Sequence, residues 1–287
     1  MIGNKALTFL TTSICSAAWL VLSSPVIVSG SMNSAKSLLT SFFEWFGEWG
    51  IFCGRLAREI FSPPYEVREF VRQFDEIGSK SVPLVALAGA ATGVVLSLQT
   101  RSSLIQFGAK SALPAVIILS IVRESGPIIT ALIVSGRVGA GIGAELGSMK
   151  VTEQIDAIEA SAVNPYKFLA GTRVLACTLA LPLLTLVADF CGIVTGWIAS
   201  ALDEPIALRL FLSSGFRRVD FNDVLAPTLK TAVFGLIIGL VACFQGMRTR
   251  GGTEGVGRSA TSSVVISSLL MIVADVLLVR LTLVFFP

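Results

Sequence analysis

The sequence predicts an all-α membrane protein, on three observations. Of its 287 residues, 53% are hydrophobic and 14% are charged, whereas ordinary soluble domains are about 25% charged. Five apolar runs are long enough to cross a bilayer, which takes about 20 helical residues. Glycines recur at four-residue spacing in these runs, as in helices that pack closely in lipid. We expect an N-terminal interfacial amphipathic helix followed by five transmembrane helices, with a short cytosolic helix between the second and third.

Residues 1–35 form a hydrophobic N-terminal extension with three possible interpretations. Residues 6–29 carry no charge and are long enough to form an extra membrane helix. Alternatively they are a signal-like segment, although Lys5 is the one basic side chain before them and no A-x-A site follows. In the third interpretation the extension is dispensable and Met32 is the working start. We assign no function to it.

Residues 36–61 predict a helix that lies at a membrane surface. Four of its charged residues share one helical face: Glu44, Glu48, Arg55 and Glu59. Charges this frequent forbid a span, and the tryptophans favour the headgroup level; packing on a soluble domain is the alternative. Ser62-Pro63-Pro64 ends the helix, and the polar residues 65–80 predict a short surface stretch.

The apolar runs then define the spans and their orientation. The five predicted spans are residues 81–100, 111–136, 174–202, 224–247 and 259–279. More than twice as many Lys and Arg residues lie in 30–80, 137–173 and 247–262 as on the other side of the membrane. Because positive charge accumulates on the cytoplasmic side, these three stretches are predicted to face the cytosol.

The cytosolic segment 144–163, hereafter the lever, predicts one short amphipathic helix. Its apolar stripe recurs at helical spacing: Val151, Ile155, Ile158 and Ala162. An acidic ridge lies beside that stripe: Glu153, Asp156 and Glu159. Asn164-Pro165 ends the helix. One apolar and one acidic face suit docking into a groove of a soluble partner; a solvated loop helix is the alternative.

Three glycines lead into the lever, at Gly139, Gly143 and Gly147. In lipid, small residues four apart let two helix backbones approach each other. We therefore expect this stretch to be a helix-packing face.

Ionisable side chains within the spans need an explanation, because charge in hydrocarbon is costly. Arg123 and Glu124 lie near the middle of 111–136, and adjacent residues point about 100° apart on a helix. At least one of the two should therefore face a polar cavity or a partner helix, with three candidate partners in the other spans: Lys230, Asp189 and Asp275. A purely structural ion-pair network is the alternative. Gln99 is either a further cavity residue or an ordinary interfacial one.

Composition and motifs exclude other function classes. The chain has no histidine, which excludes His-based triads and HExxH zinc sites. The net charge of +3 is too small to predict nucleic-acid binding, and the five cysteines lie apart without a CxxC, as buried hydrophobes do. Residues 252–259 nearly match the GxxxxGK[ST] phosphate loop, with Arg258 for Lys. They join two spans rather than a strand and a helix, so we expect a tight cytosolic turn without ATP binding.

Two stretches carry a family resemblance: RESGPIITALIVSGRVGAGIGAELGSMKVTEQIDAIEASAVNPYKFLAGTRV and GGTEGVGRSATSSVV. They resemble the MlaE/YrbE permeases, the membrane subunits of ABC systems that maintain outer-membrane lipid asymmetry and of the related Mce lipid importers. The resemblance covers residues 38–287, with 62–287 as the permease domain. Ser125 stands where the family often has an apolar residue, and Asn164 where Asp is usual. A multi-pass protein of the bacterial inner membrane that moves phospholipid or a related lipid is implied.

The resemblance also implies partners and residue roles. Family members are homodimers that work with a cytosolic ABC ATPase dimer, a periplasmic MCE-domain protein and often a STAS-domain protein. ATP is bound by the partner, so the chain itself is expected to be non-catalytic, without cofactor or metal. The residues that match the family's ATPase-coupling helix are Glu153, Gln154, Asp156 and Glu159. The residues that match polar positions in or near the substrate path are Gln99, Arg123, Glu124, Lys230 and Arg258.

The resulting hypothesis is mechanical. Two copies enclose a cavity for an amphiphile, and closure of the ATPase dimer pushes the levers so that the cavity narrows. An ion-coupled secondary transporter is the alternative, with Arg123, Glu124 and Asp189 in proton coupling. An intramembrane enzyme is a third class, for which the sequence holds no paired catalytic motif.

Overall fold

The computed structural model describes residues 33–60, 62–63, 66–203, 206–217, 219 and 221–285. Residues 1–32, which hold most of the N-terminal extension, lie outside the described residues, so its three interpretations stay open. The chain divides into two compact units, residues 1–51 and 52–287. The observations below concern the second unit.

Eleven α-helices make up the described part of the chain, which contains no strand. They are α1 Asn33–Ile60, α2 Val67–Gly78, α3 Val82–Gln106, α4 Leu113–Ser120, α5 Gly126–Val134, α6 Ala140–Val151, α7 Gln154–Ala160, α8 Thr172–Asp203, α9 Leu208–Phe216, α10 Phe221–Met247 and α11 Gly252–Phe285. The helix predicted over residues 36–61 is α1. It buries Phe52 and Leu56 and exposes Arg55 and Arg58, as an amphipathic helix does.

Five helical stretches are long and apolar enough to cross a membrane: Val67–Gln106, Lys110–Val151, Tyr166–Leu202, Asp223–Met247 and Gly252–Thr282. They contain all five predicted spans, which confirms the all-α membrane fold. We call the end of the bundle that holds α7 and residues 248–251 the lever end. The end that holds residues 107–109 and α9 is the far end.

Residues 65–80 contain regular structure that the sequence analysis did not predict. Helix α2 occupies Val67–Gly78 and buries Gln73 and Ile77. At its end the Ser81 hydroxyl donates to the Ile77 carbonyl at 2.6 Å and accepts a bond from Arg137 at 2.5 Å. These bonds fasten the start of α3 to the second span.

The second span is interrupted by two π-helical turns, Ile121–Ser125 and Ser135–Gly139, and the third span begins with another, Tyr166–Gly171. In such a turn the backbone bond runs between residues five apart, and these turns frequently occur at functional sites. The first contains both Arg123 and Glu124. The pattern of apolar residues does not predict a π turn, because the turn has the same composition as the α-helix beside it.

Small residues set the distance between the helices. A Cβ added to Gly93 would overlap the carbonyl oxygen of Gly192, and one turn further the hydroxyls of Ser97 and Ser200 bond at 2.8 Å. These contacts join α3 to α8 without an apolar side chain between them, which lets two backbones touch in lipid.

Gly139 and Gly143 face buried serines of α11, and Gly147 faces Thr249 in the connection before α11. A Cβ added to Gly143 would lie 2.5 Å from the Ser263 hydroxyl oxygen, and one on Gly147 would lie 2.8 Å from the Thr249 hydroxyl oxygen. Gly139 has more room, with its nearest neighbour, an Ile238 methyl carbon, at 3.6 Å. The α11 side of this contact repeats every four residues: Ser259, Ser263 and Ser267.

The connection before α10 folds back onto the second span. Helix α9 inserts the fully buried Phe211 into a cluster with Ile118, Val122 and Ile193. This cluster lies directly beside the first π turn. It therefore fixes the backbone that presents Arg123 and Glu124.

Candidate functional site

Lys230 is the centre of an ion network inside the bundle. Its ammonium nitrogen lies 2.8 Å from an Asp275 carboxylate oxygen and 3.1 Å from a Glu124 carboxylate oxygen. The side chain of Lys230 is 3% exposed and that of Asp275 15%. Two carboxylates thus compensate one buried cation, which is how a charge is tolerated away from water. Lys230 and Asp275, two of the three partners predicted for Arg123 and Glu124, both belong to this network.

Arg123 has a different partner, which the sequence analysis did not single out. Its guanidinium donates to an Asp223 carboxylate oxygen at 2.5 Å. Asp223 lies in the first turn of α10, within a polar connection where an acid is unremarkable. Because Arg123 and Glu124 are neighbours in the π turn, one backbone segment joins both ion pairs into a single cluster.

The accessible part of this cluster is a pair of opposite charges. The side chains of Arg123 and Glu124 are 52% and 46% exposed, whereas Lys230 is buried. A guanidinium binds phosphate through paired N–H donors, and a carboxylate binds an ammonium group. The exposed pair can therefore hold a zwitterionic headgroup, and Lys230 keeps the Glu124 carboxylate in place.

An apolar groove of about 200 Å³ lies between α10 and α11, with Lys230 among its lining residues. The other lining residues are almost all aliphatic: Leu225, Ala226, Leu229, Val233, Leu278, Leu281 and Thr282. Leu229 and Leu281 are more than half exposed. An apolar groove with one cation in its lining suits an amphiphile.

Two predicted path residues form no hydrogen bond or ion pair with this cluster in the described residues. The Gln99 side chain is exposed on α3, and the Gln99 backbone carbonyl accepts a bond from the Ser102 hydroxyl. Arg258 lies at the start of α11 in an exposed pair with Glu254 at 2.9 Å, about 26 Å along the helix from Asp275 at 1.5 Å per residue. Their place in a substrate path stays a prediction.

Asp189 does not join the Lys230 network in the described residues. It is 7% exposed, and its Oδ1 atom is buried without a hydrogen-bond partner among those residues. A Cβ added to Gly126 would overlap the same oxygen, so a larger residue there would require the Asp189 side chain to move. Asp189 thus packs against the helix that follows the first π turn.

The lever differs from the single helix that was predicted. Helix α6 ends at Val151, Glu153 adopts a left-handed backbone conformation with φ 60°, and α7 covers only Gln154–Ala160. The predicted continuous apolar stripe is therefore wrong, because Val151 and Ala162 lie outside α7. The Thr152 hydroxyl donates to the Ser148 carbonyl at 2.8 Å and closes α6 at this point.

Helix α7 is stabilised by bonds at both ends and by one buried side chain. Ile155 is 4% exposed and anchors the helix to the bundle, while Lys150 bonds Asp156 across the break at 2.7 Å. At the other end Val163 N–H donates to the Ile158 carbonyl and Ala162 N–H to the Glu159 carbonyl. This is a Schellman motif, with Ala162 at φ 61° where glycine is usual.

The acidic face of α7 points outward. Glu153, Gln154, Asp156 and Glu159 are all exposed. Asn164 does follow the end of the helix, and its side chain accepts a bond from Tyr166 N–H at 3.0 Å. A short, anchored helix with an accessible acidic surface fits the predicted docking role, which stays a prediction.

A further ion pair connects the lever region to the third span. Arg173 is 2% exposed and donates to the Leu169 carbonyl at 2.9 Å and to a Glu145 carboxylate oxygen at 2.8 Å. In the sequence, Arg173 is recognisable only as a cytosolic positive charge. The signal in the sequence was the position of this arginine directly before a long apolar run.

The run at 252–259 is not the tight turn that was predicted. These residues form the first two turns of α11, and the change of direction occurs at Gly251 and Gly252, with φ 93° and 69°. The chain direction reverses earlier because two glycines accept a left-handed backbone. In the described residues no three metal-binding side chains converge.

Comparison with known proteins agrees with this architecture. The family described as Permease MlaE matches residues 70–281. A probable ABC transporter permease protein of Rickettsia felis is 35% identical over 249 residues, which is 87% of this chain and 96% of that protein. A probable ABC transporter permease protein of Synechocystis is 36% identical over 72% of this chain and 79% of its own length.

A plant protein is also similar. The chloroplastic protein Trigalactosyldiacylglycerol 1 of Arabidopsis thaliana is 32% identical over 79% of this chain and 65% of its own length. The family match spans most of the chain and all five apolar helices. The chain is therefore a multi-pass membrane protein that belongs to the MlaE permease family.

Proposed function

We propose that this chain is the non-catalytic permease subunit of an ABC transporter that moves phospholipid or a related lipid across or out of a bacterial inner membrane. The observation that carries the proposal is the buried Lys230 network, with Arg123 and Glu124 half exposed beside an apolar groove. The headgroup would lie at the charged pair and an acyl chain along Leu225, Leu229 and Leu281.

The comparisons support a lipid as the substrate. The Arabidopsis relative carries a galactolipid in its name, and the Rickettsia and Synechocystis relatives are named as ABC transporter permeases. The chain works as a homodimer with a cytosolic ATPase dimer docked on α7, a periplasmic MCE-domain protein that receives or delivers the lipid, and a STAS-domain protein as a possible further subunit. ATP is bound by the ATPase, so the permease needs no cofactor.

Replacing Glu124 by Leu tests the transport role. Lys230 keeps its 2.8 Å contact with Asp275, so we expect the variant to fold and assemble. The transfer of fluorescent phospholipid by the purified complex in proteoliposomes should fall about tenfold, as expected when one charged contact is lost. Glu76→Leu is a matched control, because Glu76 is 50% exposed and pairs with Lys80 at 2.7 Å. Unchanged transfer by Glu124→Leu would show that the pair is structural.

The orphan carboxylate of Asp189 motivates a second candidate function, proton-coupled transport. A secondary transporter would move lipid in vesicles that contain this chain alone, driven by an imposed proton gradient. An ABC permease would move none until the ATPase and ATP are added. Lipid movement in the ATPase-free vesicles would favour the second candidate.

A further inference from the structure

A larger groove lies at the lever end, where the last turn of α1, the start of α2 and the start of α8 meet. Its volume is about 370 Å³, within the range of about 300–1,000 Å³ that holds small ligands. Its apolar lining consists of Ile60, Val67, Phe70, Leu175 and Leu179. It shares no lining residue with the groove beside Lys230, so it is a separate site.

One cation and two anions border this groove, namely Lys167, Glu59 and Glu66. The Lys167 ammonium donates one bond to the Ser62 carbonyl at 2.5 Å, which leaves two of its three donors. Within the described ranges, neither glutamate forms an ion pair. Lys167 and the two glutamates thus line the same groove, but within the described residues neither glutamate is paired with the lysine.

The apolar wall of the groove is open to its surroundings. Val67, at the start of α2, is 61% exposed, and Leu179 is 53% exposed on α8, which is part of a stretch long and apolar enough to cross a membrane. An acyl chain lying along these two side chains would shield their apolar surface from water and lipid headgroups. The charges border the same groove, so a molecule with tail and headgroup reaches both.

We propose that this groove binds one zwitterionic phospholipid of the surrounding bilayer. The acyl chain lies along Leu175 and Leu179, the phosphate binds Lys167, and the headgroup ammonium binds Glu59 and Glu66. A lipid with an anionic headgroup and no ammonium satisfies Lys167 but meets two carboxylates, so it binds less well. The site does not depend on the proposed transport function, because its residues are separate from the Lys230 cluster.

The position of the site gives the lipid a structural role. The groove is lined by Gly171 and Lys167 of the third π turn, which begins six residues after α7 ends. The same lipid contacts α1 and α2. Bound there, it joins the interfacial helix to the segment that follows the lever.

Photo-crosslinking of the full-length chain in nanodiscs tests the proposal. The probe is a phosphatidylethanolamine with a diazirine at the end of one acyl chain, and labelled peptides are identified by mass spectrometry. We expect labelling between residues 171 and 179 that falls about tenfold in Leu179→Trp, because the indole fills the groove. Leu183→Trp, on the same helix and 54% exposed, is the matched control and should keep full labelling.

The headgroup is tested with a phosphatidylglycerol that carries the same tail. It should label these peptides about tenfold less than the ethanolamine probe, and Glu59→Gln combined with Glu66→Gln should abolish that difference. Lys167→Arg should retain labelling and Lys167→Gln should lose it. Equal labelling by both lipids in the unmodified chain, or labelling unchanged in Leu179→Trp, would show ordinary bilayer contact and overturn the proposal. Glu124→Leu should leave this labelling unchanged whatever its effect on transfer.

Discussion

At the scale of single residues, Lys230 stabilises a buried ion network, and its proposed role in headgroup binding can be tested separately from this structural role. The buried ammonium compensates Asp275, which is 15% exposed, while it positions the half-exposed Glu124. Removing a cation from a buried network costs about 3–5 kcal/mol, because a carboxylate is left without a partner. Loss of transport after a single substitution could therefore reflect unfolding alone.

A double substitution distinguishes the two roles. Lys230→Met should lower the thermal unfolding midpoint of the purified permease, and Lys230→Met combined with Asp275→Leu should recover most of that loss, since no buried charge is left without a partner. Lipid transfer should stay low in both variants if Lys230 positions Glu124 for the headgroup. Restored transfer in the stable double variant would limit Lys230 to a structural role.

The residues of this network differ in how visible they are in the sequence. Arg123, Glu124, Lys230 and Asp275 stand out because each interrupts an apolar run, where a charge is costly. Asp223 does not, because it lies at a helix start in a polar connection. Pairing could not be predicted either, since several acids lie in the spans and only the packing of α10 against the π turn selects among them.

At the scale of elements, the spacing of the helices depends on which glycines touch a backbone. Gly93 meets the Gly192 carbonyl, whereas Gly139 has 3.6 Å to its nearest neighbour. Sequence spacing marks both as packing positions, because each belongs to a small-xxx-small series. The spacing does not show whether a given glycine faces rigid backbone or the end of a side chain that can move.

This difference predicts opposite responses to alanine. Gly93→Ala should destabilise the permease by about 1–3 kcal/mol, because α3 and α8 must separate. Gly139→Ala should be neutral or stabilising by up to about 1 kcal/mol, since alanine favours the helix over glycine. Thermal unfolding of the two variants in one detergent compares them directly, and a larger loss at Gly139 would contradict the close-approach argument.

The five spans could be predicted because each is a long apolar run, but the irregular backbone between them could not. The α2 helix was missed because its polar composition resembles a loop, and the lever was read as continuous because Val151 and Ala162 fit a helical period by chance. The break at Thr152 and Glu153 is accompanied by the burial of Ile155, which is a tertiary feature. Periodicity carries no information about such contacts.

At the scale of the second unit, the charged cluster and α7 belong to one continuous stretch of the chain. Glu124 and Val151 are about 40 Å apart along the helix at 1.5 Å per residue. The stretch between them contains the second π turn and the glycines that face α11. In the proposed mechanism, a force applied to α7 would reach the cluster through this closely packed, mostly helical connection.

Reversing charge on the acidic face tests this connection. Glu153→Lys combined with Glu159→Lys leaves the Lys150–Asp156 pair intact, so the backbone of the lever should be retained. We expect the complex to lose lipid-stimulated ATPase activity and ATP-driven lipid transfer, because the docking surface changes sign. Asp75→Lys with Glu76→Lys, an equal reversal on exposed positions of α2, should leave both activities in place. Normal coupling in the lever variant would exclude α7 as the ATPase contact.

The two π turns inside the second span, at 121–125 and 135–139, also indicate how homologous chains should be aligned. Each corresponds to one residue inserted into an otherwise regular helix, and every insertion advances the phase of the following side chains by about 100°. An amphipathic wheel drawn through such a turn mixes residues from two different faces. Single-residue gaps between distant homologues belong at these turns, where a deletion would restore regular winding.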